Sequence, residues 1–190
     1  TSHVECKVDG VQIDRFEALY PKVVGKLSCV EIAEKIFNSP DDPDVDPCRF
    51  LLDRWVREQL ARAGVREDFV IRPFEAEHRL FSRLEETLLR TSLSSDFTRA
   101  LCAYARAYFA KDGNTVGAVV HWLRGDQEKL VFPADYLQKP SAMPKAHRAA
   151  VNEIKPIGRG TATEVMRGLL WLVRAAGFKG LVLCIDEIEE

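Results

Sequence analysis

The stretch Gly180-Leu181-Val182-Leu183-Cys184-Ile185-Asp186-Glu187 decides how the rest of this chain is read. Its apolar run is continuous rather than alternating and too short for a helix, a pattern expected of a strand buried on both faces in a parallel sheet covered by helices. Two acids, Asp186 and Glu187, follow at the carboxyl end of that strand. In open α/β sheets ligands bind at the carboxyl ends of strands, where side chains leave a rigid apolar scaffold. The acids therefore stand where a site would be built.

Immediately upstream, Thr161-Ala162-Thr163-Glu164 has the spacing of a capping box, with the threonine hydroxyl and the glutamate each expected to satisfy a free backbone amide. Val165, Met166, Leu169, Leu172, Val173 and Ala176 then recur at helical spacing, and Gly177 falls where a left-handed residue closes a helix. The predicted unit is helix, tight turn, central strand.

At the other end, residues 4–8 alternate apolar and polar as a short strand does, with Asp9-Gly10 as its turn. Residues 13–37 carry helical periodicity interrupted by Pro21 and Gly25, which predicts two consecutive helices. Ser39 to Pro47 holds three prolines and four aspartates and reads as a loop. Helices are predicted over 50–63, 74–90 and 96–110, the last capped by Ser94 or Ser95. Lys111-Asp112-Gly113-Asn114 is a turn before a short helix at 115–123. Residues 126–160, with four prolines, read as connecting loop around one short helix at 144–152.

The chain has 190 residues, 46% of them hydrophobic and 29% charged, enough to bury one sizeable core. A net charge of -2 gives no overall basic field, so nucleic acid would need a local patch. From Lys145 to Lys179 there are seven Lys or Arg against two Glu, which is one candidate for such a patch; an ordinary solvated surface is the other reading. No apolar run approaches the roughly 20 residues of a bilayer span, and no secretory signal opens the chain, so a cytoplasmic location is expected. The five cysteines are scattered without metal or redox spacing and are expected to be reduced thiols, Cys6 and Cys184 as small buried hydrophobes. His3, His78, His121 and His147 are isolated, and no nucleophile-elbow motif supports a serine triad.

Nucleotide hydrolysis needs an acid near the magnesium that bridges phosphates and a second group to orient or deprotonate the attacking water. A short apolar strand ending in Asp-Glu is the Walker B pattern of ATPases, and on that resemblance Asp186 takes the metal, through water, and Glu187 is the catalytic residue. Arg124 in Trp122-Leu123-Arg124-Gly125 is a candidate phosphate or subunit contact; capping of a helix end is the plainer reading. The helix-turn-helix outline of 96–123 likewise competes with ordinary helical-hairpin packing.

The run from Arg167-Gly168-Leu169-Leu170-Trp171 through Cys184-Ile185-Asp186-Glu187-Ile188-Glu189 resembles the Walker B region of the BREX-system ATP-binding proteins, an AAA-like P-loop family of bacterial phage defence. Asp96-Phe97-Thr98-Arg99-Ala100-Leu101 and His121-Trp122-Leu123-Arg124-Gly125 also look like segments of that family, in the same order. The resemblance covers about half the chain and is strongest from Thr161 onward. It implies an α/β, mostly helical fold: a partial P-loop NTPase core with a long helical insertion. Residues 1–38 would give a strand and helices of the core, 39–158 the insertion, and 159–190 the helix and Walker B strand. It implies ATP and Mg2+ as cofactors and ATP hydrolysis coupled to conformational change, with other subunits of a defence complex as partners. It leaves DNA contact and homo-oligomerisation open and involves no membrane.

No stretch matches Gly-x-x-x-x-Gly-Lys-Ser/Thr, the loop that holds the phosphates. Gly25-Lys26 runs into leucine, and Gly158-Arg159-Gly160-Thr161 lacks the lysine. In the family that loop precedes the first strand, so the expectation is a piece of a longer ATPase, inactive without the segment before Thr1. The competing function class is a non-catalytic helical module for protein interaction or DNA binding.

Overall fold

A computed structural model describes residues 4–9, 16–29, 31–33, 46–62, 91–126, 129–132 and 153–186. The chain enters through strand β1 (Val4–Asp9) and helix α1 (Phe16–Gly25), and turns back into the two-residue strand β2 (Leu27–Ser28). Among the described residues three full helices follow: α2 (Pro47–Arg62), α3 (Ser95–Ala110) and α4 (Gly113–Leu123). A small bridge of β3 (Leu130–Val131) with β4 (Glu153–Ile154) leads to α5 (Ala162–Ala175) and β5 (Leu181–Asp186). The described residues form an α/β, mostly helical fold with a three-stranded mixed sheet in the order β2-β1-β5. β1 and β5 are parallel, as a crossover through helices requires, and β2 is antiparallel to β1.

Each helix boundary has a local cause. Pro47 opens α2 at the position where a missing N–H costs nothing, and Asp46 caps it, its carboxylate accepting from the amides of Cys48 (2.8 Å) and Arg49 (3.1 Å). The Ser94 hydroxyl accepts from the Phe97 amide to start α3, and Lys111 closes it in the left-handed region at φ 56°. Asp112 caps α4 through the amides of Asn114 and Thr115, so Gly113 and Asn114 belong to the helix and not to a turn.

Several expectations are corrected. Leu27–Ser28 pair as β2 before helical residues resume at 31–33; the rest of the second helix expected up to residue 37 lies outside the described residues. The irregular segment after Asp126 contains the β3–β4 bridge. Thr161 does not form the capping box: its hydroxyl bonds Gly158 instead, accepting from the amide at 3.0 Å and facing the carbonyl at 3.3 Å. Most of the Ser39–Pro47 loop and the helices expected at 74–90 and 144–152 lie outside the described residues.

One buried cluster joins α1 through α5, with Tyr20, Trp55, Phe97, Tyr104 and Leu123 almost fully enclosed. Burying each such side chain is worth about 1.5–3 kcal/mol, which makes this cluster the main source of stability. α3 and α5 approach so closely that a Cβ on Gly168 would lie 2.6–2.8 Å from the Phe97 ring. β4 is tied in from two sides, by the Trp122 indole N–H to the Lys155 carbonyl (2.9 Å) and by Arg99 to the Glu153 carbonyl (3.2 Å). No helix among the described residues is long and apolar enough to cross a membrane.

Candidate functional site

β5 lies in register with β1 along its whole length, from Val4 opposite Leu181 to Asp9 opposite Asp186. Two aspartates therefore end neighbouring parallel strands at the same edge of the sheet. Asp186 stands where the sequence reading placed it, at the carboxyl end of the strand; Glu187 lies outside the described residues. Asp9, read from sequence as part of a turn, is the last residue of β1. That both strands end in Asp was the signal available in the sequence, but the parallel register alone makes them neighbours.

Among the described residues β5 is the edge strand, and its exposure corrects the expectation of a strand buried on both faces. Val182 and Leu183 are 46% and 39% exposed, and Cys184 is exposed rather than a small core residue. Successive strand residues point to opposite faces, so consecutive exposed apolar positions mean that neither face is fully covered there.

The approach to β5 is held by α2. Gly177 (φ +87°) makes the turn after α5, and a Cβ there would be strained and would meet the Glu58 carboxylate at 3.3 Å. One turn earlier on α2, Arg54 donates from Nε to the Ala176 carbonyl (2.9 Å), satisfying an acceptor at the end of α5. Its guanidinium also lies 4.3 Å from the centre of the Phe178 ring and pairs with Glu31 at 3.0 Å. The Glu31 carboxyl is held below the usual carboxylate range, chiefly by its own backbone amide and then by Arg54. Arg54 thus clamps three elements around the turn that launches the strand carrying Asp186. Sequence reasoning passed over it because nothing local marks its partners.

Arg124 is placed elsewhere, with Nη1 3.1 Å from the Asp46 carboxylate at the start of α2. The whole Trp-Leu-Arg-Gly segment is a junction: Trp122 reaches Lys155, the Leu123 carbonyl accepts from the Tyr20 hydroxyl at 2.7 Å, and Gly125 (φ +85°) fits against Pro21. Burial pushes the Tyr20 hydroxyl well above its ordinary pKa, so it stays a donor. Arg124 also lines an open groove of about 470 Å³ with Arg49, Lys111, Gly117 and His121. α3 and α4 pack against each other through largely buried faces, the ordinary hairpin arrangement.

The strand-end carboxylates are hard oxygen donors, the chemistry that suits magnesium among the common cations. No curated protein and no solved structure matches the chain. The family model described as BREX system ATP-binding protein BrxC/D matches residues 12–190, nearly the whole chain, and the protein belongs to that family.

Proposed function

We propose that this chain supplies the metal-binding and water-activating side of an ATP site, and that ATP hydrolysis there drives conformational change within a BREX defence complex. The observation that carries the reading is the register pairing of Asp9 with Asp186 at the carboxyl ends of two parallel strands, the place where α/β sheets bind ligands. Membership of an ATP-binding family supports the choice of ligand.

In this reading Asp186 would hold the metal through water, and Asp9, its register partner, would add a second negative charge at the same end of the sheet. Glu187 accepts the proton of the attacking water or orients it. A magnesium ion held there would supply positive charge against the negative charge that develops on the phosphates. The phosphates themselves need a glycine-rich loop with a lysine, and none matches within residues 1–190. That loop is therefore contributed from outside these residues. Among the described residues no strand pairs with the outer edge of β5, and its exposed apolar side chains support a further strand there that carries the loop.

The test is nucleotide binding by two chains, residues 1–190 alone and the same sequence extended upstream to include a Gly-Lys-Ser/Thr loop. The extended chain is expected to bind Mg·ATP and to lose at least tenfold in affinity on Asp186→Ala, while the short chain shows no turnover. Failure of the extended chain to bind nucleotide, or turnover by the short chain that Asp186→Ala abolishes, would refute the proposal.

A further inference from the structure

The inner face of α5 is part of the core; its outer face is exposed and has no partner among the described residues. Ala162, Val165, Met166, Leu169, Leu172 and Val173 are buried, whereas Thr163, Glu164, Arg167, Leu170 and Arg174 are exposed and Trp171 is half-buried. At 100° per residue, Arg167 and Arg174 fall almost on one line, two turns and about 10 Å apart. Leu170 lies between them on one flank; on the other, the half-buried Trp171 packs edge-on against Trp55 of the core, 6.5 Å between ring centroids, and presents only its outer part. Leu170 is 43% exposed, one of few large apolar side chains so placed among the described residues. Arg167 and Arg174 pair with no carboxylate among the described residues, although other arginines do, at Glu31, Asp46 and Asp96. Exposed Lys179 extends the basic character past the helix end.

We infer that the outer face of α5 is a docking surface for an acidic, amphipathic segment of a partner protein. Charge complementarity selects the sign: two arginines free of internal carboxylates are matched by acids on the other side. The apolar surface between them, chiefly the exposed Leu170 with the outer part of Trp171 beside it, selects protein over nucleic acid. A phosphate backbone gains nothing from Leu170 and Trp171 and would keep its solvation shell against them, whereas an apolar side chain flanked by carboxylates fills the space between the arginines and removes apolar surface from water. The net charge of -2 on the chain also opposes a polyanion more than a short acidic segment. Such pairs act through complementarity at the rim with an apolar anchor at the centre. This surface is independent of the nucleotide reading, because it uses neither strand-end acid.

The experiment places a photo-crosslinking amino acid at position 170 of the full chain, in cells carrying the whole BREX system, and maps the crosslinked product by mass spectrometry. The expected product is a protein segment with acids flanking an apolar residue. Its yield should fall at least tenfold in Arg167→Glu/Arg174→Glu and return when the partner acids are changed to lysine. The thermal midpoint of the charge-reversed chain should match that of the parent, since both positions are exposed. Crosslinks to nucleic acid, a mapped segment without acids, a yield indifferent to charge reversal, or no crosslink at all would each overturn the inference.

Discussion

Asp9 and Asp186 are register partners at the carboxyl ends of parallel strands β1 and β5. Two carboxylates carried at register-paired positions would repel in the absence of a cation and cooperate in its presence. Asp9→Asn is therefore expected to leave the metal-free chain as stable as the parent or up to about 0.5 kcal/mol more stable, because like charges on neighbouring strands are unfavourable. In the nucleotide-binding chain the same change should raise the magnesium concentration for half-maximal ATP binding several-fold. Urea unfolding without metal and a magnesium titration read the two effects separately. A marked loss of metal-free stability would show that Asp9 has a structural partner instead.

Arg54 joins α2 to the turn between α5 and β5 through a carbonyl, a ring and a carboxylate. Arg54→Ala should cost about 2 kcal/mol in chemical denaturation, from a lost charge-assisted hydrogen bond and a lost cation–π contact. Arg54→Lys should recover only part, since an ammonium cannot make all three contacts in one geometry. The pH dependence has a definite sign. Glu31 titrates lower in the folded chain than unfolded, so its contribution is complete above the unfolded carboxylate value of about 4.3 and disappears as pH falls through the lower folded value. Arg54→Ala should flatten that acid limb of the stability curve.

Gly168 separates two effects of opposite sign. Alanine is favoured over glycine inside a helix by about 1 kcal/mol. Its methyl group would stand 2.6–2.8 Å from the Phe97 ring, which is 1% exposed and has nowhere to go. Overpacking of this kind costs typically 1–3 kcal/mol, so Gly168→Ala should be net destabilising. Phe97→Leu combined with Gly168→Ala should be less unstable than the sum of the two single changes, measured as a double-mutant cycle. Additive values would mean that α3 and α5 do not meet there.

Much of the fold was legible where periodicity and turn chemistry agree. The helix–Gly177–strand unit of α5 and β5 follows from residues near one another in sequence, and Ser94 announced α3 in the same way. The misses share a different cause. Leu27–Ser28 forms β2 because β1 is there to pair with it, which no local pattern records. Thr161 and Glu164 had the spacing of a capping box, but the hydroxyl found Gly158. The apolar run of β5 cannot by itself distinguish a central strand from an edge one. At the candidate site, Asp186 was visible because acids at a strand end form a local motif. Arg54 was not, because its acceptor on Ala176 lies 122 residues away.

The most direct measurement is ATP turnover and binding by the chain extended to include a phosphate-binding loop, compared with its Glu187→Gln variant. The carboxamide keeps the size of the side chain but cannot take a proton from water. Mg·ATP affinity is expected to stay within about threefold of the parent while kcat falls at least a hundredfold, the range for removing a general base. Parent-like turnover in Glu187→Gln would contradict the assignment of the strand-end acids as the catalytic half of an ATP site.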